Sequence, residues 1–321
     1  MLPFYKGRSG IICFLLTIAL IAMSSPAVAN WSSARDKSMT LKEKGHYIQA
    51  YSLASSQRVS GEDLFDKEFV SGWLALRSLG KPQLAFNHFK NMALYTKHLR
   101  RDYADAGKAK AGYWLGRTLK ELGKGDQANV MFKAAFGYPN TFYGQLSGSE
   151  LGISLKRHHV QHLSSQYPIK DIYWHDPRVR KEYVLATIRE ESRFKQRAKS
   201  PKEARGMMQV LDGTAKSVGK QAGVNIDITM MRNNADYNIA VGSRYLADQM
   251  ASFSGNTMLA SAAYNAGPKR PTEWIRRFGD PRGGRVDPID WAESIPFKET
   301  RDYVQKVIGS YVTYVALLKT E

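Results

Sequence analysis

Two adjacent carboxylates, Glu190 and Glu191, close the apolar stretch YVLATIREES that runs from Tyr183 to Ser192. On a helix at about 100° per residue, Val184, Leu185 and Ile188 fall on one side. Glu191 lies roughly 65° from the centre of that stripe and Glu190 roughly 165° from it. The spacing predicts Glu190 on the solvent face and Glu191 at the margin of the core, or of a cleft lined by it. A carboxyl against apolar walls resists ionisation, so its pKa rises. Such a group can protonate a leaving-group oxygen near neutral pH, as cleavage of a glycosidic bond requires. The same position also suits a helix-end glutamate paired with Arg189 or Arg193, and spacing alone leaves both readings open.

Three downstream stretches bear on the choice: KSPKEARGMMQ at Lys199–Gln209, AAYNAGP at Ala262–Pro268 and ESIPFKETRDYVQKV at Glu293–Val307. With Glu191–Ser192, in this order and at this spacing, they resemble the soluble lytic transglycosylases, whose catalytic domain is lysozyme-like (glycoside hydrolase family 23). The resemblance covers about 155 residues, from Tyr167 to the end of the chain. It implies that Glu191 is the catalytic acid and that Ser200 lies beside it and helps to hold it. It implies that Gly206, Met208 and Gln209 form part of the substrate site. There the glycine permits a tight turn, and the glutamine offers amide groups to sugar hydroxyls or N-acetyl oxygens. Tyr264 and Asn265 match the family's Ala-Tyr-Asn-Ala-Gly, with the Tyr264 hydroxyl expected to steady the glutamate or the charge developing at the anomeric carbon. Glu293 matches a glutamate that lines the sugar groove, and Tyr303 a tyrosine of the closing helix, where it either packs or contacts substrate. Taken singly, each of these residues also fits an ordinary role as cap, turn, core or surface residue. The chain departs from the family at Glu203, where glycine is usual, at Met207, where leucine is frequent, and at Leu211 and Asp212, where methionine and proline are usual. A second carboxylate at Glu203 could alter the acid's pKa.

The elements that must carry these residues read as helices throughout. In the second half the periodicity predicts helices over Pro177–Arg193, Gly206–Val210 continuing loosely to Ala222, Ala235–Ser254, Thr257–Tyr264, Pro271–Phe278 and Lys298–Leu318. No alternating strands, phosphate loop, His-Glu-x-x-His or Ser-His-Asp arrangement is evident. In the first half, Trp73 matches Trp114 at a spacing of 41 residues, and Leu79–Gly80, Ala85 and Phe89 match Leu122–Gly123, Ala128 and Phe132 at 43. Trp-Leu, then Leu-Gly at a turn, then Ala and Phe on a second helix is the pattern of a helical hairpin repeat of tetratricopeptide type, which stacks into a curved solenoid. The expected fold is all-α. A TPR-like superhelical domain and linker occupy residues 30–165, and a lysozyme-like, mostly helical domain occupies 166–321. The linker holds His158, His159 and His162; without nearby carboxylates, and with adjacent histidines pointing apart on a helix, they are not read as a metal site.

The chain has 321 residues, 43% hydrophobic and 24% charged, a globular composition. Residues 1–29 read as a cleavable secretory signal: Lys6 and Arg8, an apolar run from Ile11 to Met23, and Ala27-Val28-Ala29 before Asn30. Thirteen apolar residues are short for a membrane anchor. The single cysteine, Cys13, lies inside that run, so the mature chain would hold neither disulfide nor thiol nucleophile. The formal charge of +18 falls to +16 without Lys6 and Arg8. It favours an anionic partner; for an exported protein, cell-wall polymer fits better than nucleic acid.

Together with the resemblance, these readings predict a periplasmic peptidoglycan lytic transglycosylase that needs no metal or organic cofactor. Its partners would be glycan strands and, through the helical repeats, other envelope proteins. It would cleave the β-1,4 bond between N-acetylmuramic acid and N-acetylglucosamine, leaving 1,6-anhydromuramic ends. Two alternatives are a lysozyme-type hydrolase on the same fold, with Glu203 or Glu293 as a second carboxylate, and a catalytically inactive helical-repeat wall adaptor.

Overall fold

A computed structural model of the chain describes residues 30–172 and 175–319; the predicted signal segment and Cys13 lie outside them. Helices α1 (Trp31–Glu43) and α2 (Tyr47–Ser55) precede two hairpins, α3 (Glu62–Trp73) with α4 (Pro82–Tyr95), and α5 (Arg101–Glu121) with α6 (Gly125–Phe136). The matched residues do matching work. Trp73, Trp114, Ala85, Ala128, Phe89 and Phe132 are all buried in one core. Gly80 and Gly123 both turn the chain at positive φ, +60° and +70°, where a side chain would be strained. The differing Trp-to-turn spacing falls where the first hairpin continues α3 as a π-helical segment, Leu74–Ser78. Helices α7 (Phe142–Glu150) and α8 (Arg157–Val160) follow. In the linker, the rings of the exposed His158 and the half-buried His159 meet at 3.1 Å, and His159 Nδ1 also accepts from the Lys156 N–H at 3.0 Å.

The second half comprises α9 (Lys181–Ser192), α10 (Asp212–Ala222), α11 (Ile228–Asn233), α12 (Ala235–Ser252), α13 (Thr257–Ala266), α14 (Lys269–Phe278), α15 (Pro288–Ser294) and α16 (Lys298–Leu318). Periodicity located α12, α13, α14 and α16 to within two residues. It missed the short α11 and α15, which offer too few turns for a period to show. It also extended a helix over Gly206–Val210, which is a tight turn joined to Lys199–Arg205 by isolated backbone bridges. The described residues are thus built of helices and turns, an all-α fold.

Helix α9 is buried on more than one side: Tyr183, Val184, Leu185, Ala186, Thr187, Ile188 and Ser192 are all inaccessible. It packs along α16, and the Tyr183 hydroxyl meets Ser261 Oγ on α13 at 2.7 Å. The helix stops because Arg193 takes a left-handed conformation, φ +50°, and Phe194 another, φ +61°.

A buried ionic cluster joins the two halves. Glu293, on α15, is fully buried. Its carboxylate accepts from Lys110 Nζ of α5 at 2.7 Å, from Gln305 Nε2 of α16 at 2.7 Å and from the Tyr143 hydroxyl of α7. Arg301 Nε lies 4.0 Å away. The Glu293 carbonyl accepts from Arg35 of α1 at 3.0 Å. Burial alone would raise the Glu293 carboxyl, but Lys110 and Arg301 outweigh it and hold the group below its ordinary value. Lys110 also sits 3.5 Å from the Phe69 ring centroid, a cation–π contact inside the core of the hairpins. Towards the surface, Trp73 Nε1 and Arg77 Nε both donate to Asp290 of α15, at 2.8 and 2.7 Å.

Candidate active site

Glu191 is half-buried at the end of α9. Its Oε1 accepts from the Tyr303 hydroxyl of α16 at 2.7 Å. Burial is the largest influence on its carboxyl, and it is a raising one. The Tyr303 bond pulls the other way, and the charges of Glu190 and Glu299 add to the rise. The balance puts the pKa at about 7. Burial, together with the neighbouring Glu191 charge, pushes the Tyr303 phenol well above its ordinary value, so it stays a donor at neutral pH. The site thus holds a carboxyl that is part acid and part carboxylate near neutrality. It can both give and take a proton without changing partners.

Glu190 is not the solvent-facing acid that the helical wheel predicts. It is paired with Arg189 and accepts from Ser310 Oγ of α16 at 2.6 Å. Arg189 is stacked on Tyr167 at 4.1 Å and donates to the Gln166 carbonyl. The segment preceding α9 therefore covers the face that the wheel left wet. Of the two arginines that could have neutralised Glu191, Arg189 is committed to its neighbour and Arg193 forms no ion pair among the described residues.

The Lys199–Val210 segment is a folded loop on α12. Gly206 has φ +79°, and a Cβ there would meet Asn238 Nδ2 at 2.4 Å. Asn238, fully buried on α12, accepts from the Met208 N–H at 2.9 Å and donates to the Arg205 and Met231 carbonyls at 3.0 Å each. The Tyr264 hydroxyl donates to the Met208 carbonyl at 2.8 Å. Both peptide groups of Met208 are thereby fixed, and its side chain is fully buried. Gln209, at φ +47°, donates its side-chain amide to the Ala198 and Gly206 carbonyls at 3.0 and 2.9 Å. Ser200 Oγ accepts from the Lys202 and Ala204 amides at 3.2 and 3.0 Å. Asn265 Oδ1 accepts from Thr300 Oγ1 at 2.7 Å.

Several expected roles change accordingly. Tyr303, for which packing and contact stood equal, is the residue bonded to Glu191. Tyr264, expected to steady the acid, spends its hydroxyl on Met208. Ser200 caps its own turn and makes no hydrogen bond to Glu191. The Met208 side chain has no surface to offer a sugar. Gln209 uses its donors to close the loop and keeps only its amide oxygen for a ligand. Glu293 cannot line a groove, because it has no exposed surface and its Oε1 is taken by Lys110, Tyr143 and Gln305, while its Oε2 is buried without a hydrogen-bond donor.

Nor does Glu203 act on the acid. It is exposed, with partners Lys199 and Arg205 at 2.5 and 2.8 Å, and hydrogen bonding to Lys199 lowers its own pKa. Its φ of +67° shows why glycine is at home there.

Two residues escaped notice in the sequence. One is Asn238, whose signal was a buried amide in an otherwise apolar helix face. The other is Glu299, which lies one turn before Tyr303 on α16 and so on the same helical face.

Residues 172–283 match the transglycosylase SLT domain family. The soluble lytic murein transglycosylase of Escherichia coli (strain K12) is 34% identical over 154 residues, which is 46% of this chain and 23% of the relative. A putative soluble lytic murein transglycosylase of Haemophilus influenzae is 32% identical over 143 residues, 44% of this chain and 23% of the relative. The match thus spans about a quarter of the length of these relatives. Among solved structures, the 70 kDa soluble lytic transglycosylase from Escherichia coli is similar over 88% of this chain and 61% of its own, with TM-score 0.57 and 19% identity. An inactive Glu→Gln mutant of lytic transglycosylase Slt from Pseudomonas aeruginosa is similar over 90% and 68%, with TM-score 0.55 and 19% identity. Residues 172–283 are thus similar to the transglycosylase SLT domain family, and the helical fold of the chain is similar to that of the soluble lytic transglycosylases.

Proposed function

We propose that the chain is a peptidoglycan lytic transglycosylase with Glu191 as its single acid/base. The observation that carries this reading is the carboxyl raised to about 7 and held by Tyr303. In the first step Glu191 gives its proton to the glycosidic oxygen as the C1–O bond of N-acetylmuramic acid breaks. The 2-acetamido oxygen of the same sugar assists at C1, which removes the need for a second carboxylate from the protein. In the second step the sugar's 6-hydroxyl oxygen closes on C1 and its proton passes to Glu191. The products are a free 4-hydroxyl and a 1,6-anhydro end; no water is consumed and the acid is restored. The 198–210 loop, fixed by Asn238 and Tyr264, would form one wall of the sugar site, with the Gln209 amide oxygen as acceptor.

In this reading residues 30–165 form the helical-repeat domain and linker, and residues 166–321 the catalytic domain. Residues 1–29 direct export to the periplasm, and glycan strands are the partner. Among the described residues no helix is long and apolar enough to cross a membrane. The name of the Pseudomonas aeruginosa neighbour, an inactive Glu→Gln mutant, is consistent with a reaction that hangs on one glutamate.

Mass spectrometry of purified peptidoglycan digested by the chain, with Glu191→Gln as control, tests the proposal. Anhydromuramic ends, one water lighter than reducing ends, are expected from the wild type alone. A hydrolase reading has one observation in its favour: the Glu299 charge acts on Glu191 and could serve a water. Reducing ends in the digest would select it. Wall binding without products from either chain would select the inactive adaptor.

A further inference from the structure

Helix α14 divides by side. Trp274, Ile275 and Phe278 pack into a small core with Trp291 and Ile295, and Pro271 is buried on the same side. Lys269, Arg270, Thr272, Glu273, Arg276 and Arg277 are exposed on the other. Lys269 and Arg276 fall on one line, two turns and about 10 Å apart along the axis. The neighbouring segments extend this face. Val286 seats against Gly279, where a Cβ would meet its Cγ2 at 2.6 Å, so residues 279–286 fold back on the end of α14 and bring Arg285 with them. Arg277 Nε donates to Glu43 at 2.6 Å and draws in the end of α1, with Lys44.

Every acid on this face is matched: Glu43 by Arg277, Glu273 by Arg270 at 3.0 Å and Asp280 by Arg282 at 2.7 Å. Lys44, Lys269, Arg276 and Arg285 are left over. All four are exposed and form no ion pair and no side-chain hydrogen bond among the described residues. A helix C-terminus welcomes a cation, which accounts for Arg276 and for Lys44. It does not account for Lys269, which stands in the first turn of α14, where the dipole disfavours it and no acid offsets it. The packing of α14 uses its apolar side and none of these charges, so nothing in the fold calls for them. Neither the cleft between the halves nor the groove beside α1 is lined by α14. An acidic strand needs a groove to seat it, whereas a sheet of phosphates needs only cations that point outward. Guanidinium groups match phosphate oxygens in pairs. With Trp274 and Phe278 turned into the core, the face has no apolar wedge to insert, and its attraction rests on charge.

We propose that this face binds the surface of an anionic phospholipid bilayer, with Lys44, Lys269, Arg276 and Arg285 against the headgroup phosphates. The attachment is electrostatic and reversible. It is independent of the reaction at Glu191, and both halves of the chain take part in it, since Lys44 belongs to the helical repeats and the other three cations to the second half.

The test is co-sedimentation of the exported chain, beginning at Asn30, with vesicles. One set is phosphatidylcholine with about a third phosphatidylglycerol, the other phosphatidylcholine alone, both in about 0.15 M salt so that diffuse attraction is screened. The chain should bind the anionic vesicles only. A cation at such a surface is worth about fivefold in partition. Lys44→Gln, Lys269→Gln, Arg276→Gln and Arg285→Gln together should therefore cost at least about fiftyfold, and each single change about two- to fivefold. Lys90→Gln, Lys133→Gln, Lys216→Gln and Lys220→Gln remove the same charge from exposed, unpaired positions on α4, α6 and α10. That control set should cost about threefold or less. Thermal unfolding checks that each variant is folded, and the single changes carry the test if the fourfold one is not. No binding to anionic vesicles, equal binding to neutral ones, or an equal loss from the control set would overturn the proposal. So would a larger loss for soluble polyglutamate than for vesicles, which would make an acidic chain the partner.

Discussion

Replacing Glu191 by glutamine should stabilise the protein, and the gain should depend on pH in a way that can be worked out beforehand. The folded carboxyl titrates at about 7 against an ordinary 4.5. Below pH 4.5 the group is protonated in both folded and unfolded chains, so it contributes no difference. As pH rises towards 7 the unfolded chain releases this proton while the folded chain keeps it, and the wild type loses stability. Above 7 the folded chain must carry a carboxylate that its surroundings disfavour. At about 1.4 kcal/mol per unit, the accumulated loss is about 3 kcal/mol. Glutamine cannot ionise and keeps an oxygen to accept from Tyr303, so it escapes this loss.

The quantity to measure is the stability difference between Glu191→Gln and wild type, by denaturant unfolding at pH 5 and at pH 8. Every other titration in the molecule is common to both chains and cancels at each pH. The difference should grow by about 2.5 kcal/mol between the two conditions, because about 0.8 kcal/mol of the loss is already present at pH 5. In thermal unfolding of a chain this long, that corresponds to a relative gain of about 4 °C. A difference that stays flat from pH 5 to pH 8 would mean that Glu191 ionises as an ordinary surface glutamate. The acid reading would then lose its physical basis, whatever the mutant does to activity.

Other perturbations follow the same geometry. Tyr303→Phe removes the one hydrogen bond that favours the Glu191 carboxylate, so the fall of activity at high pH should move to higher pH. Turnover should also drop on the order of ten- to a hundredfold as the carboxyl loses its orientation; an unmoved pH profile would refute the bond's role. Glu190→Gln should retain most activity in wall digests, because Glu190 serves Arg189 and Ser310; inactivity equal to that of Glu191→Gln would reverse the assignment. Lys110→Met should destabilise by about 3–5 kcal/mol in denaturant unfolding by leaving Glu293 buried without its cation, with more than half recovered when Glu293→Gln is added. Glu203→Gly should leave both the pH profile of activity and the thermal midpoint undiminished, because it relieves a left-handed glutamate that is not among the charges acting on Glu191.

The local order of the chain was largely legible in the sequence, and its long-range partnerships were not. The Trp73 and Trp114 repeats, the left-handed Gly80 and Gly123 and the span of α16 all follow from patterns that neighbouring residues enforce on one another. The wheel also placed Glu191 at the margin of the apolar stripe, where its carboxyl is half-buried. What the wheel could not show is that Arg189 and Tyr167 would roof the other face and bury Glu190 as well. The choice between Tyr264 and Tyr303 as the acid's partner depends on how α13 and α16 lie against α9, over separations of 73 and 112 residues. The misplacement of Glu293 has the same origin. Its partners Lys110 and Tyr143 sit in the other half of the chain, and nothing near residue 293 announces that they will close over it.

That cluster gives the repeats a mechanical bearing on the chemistry. Helix α16 contributes Arg301 and Gln305 to the cluster, Tyr303 to Glu191 and Ser310 to Glu190, all within ten residues. An α-helix is stiff over so short a span, so its rotation about its axis cannot satisfy one set of contacts and abandon the other. Arg301 donates to the Ile295 carbonyl at 2.7 Å and so ties the helix to the segment that carries Glu293. Lys110, Tyr143 and Arg35 tie that segment to α5, α7 and α1. The hydrogen bond that tempers the acid is therefore set by a register that the helical repeats help to fix. A rotation of α16 large enough to free Tyr303 from Glu191 would also pull Gln305 from Glu293, where the charge is fully buried and has no water to replace the lost donor.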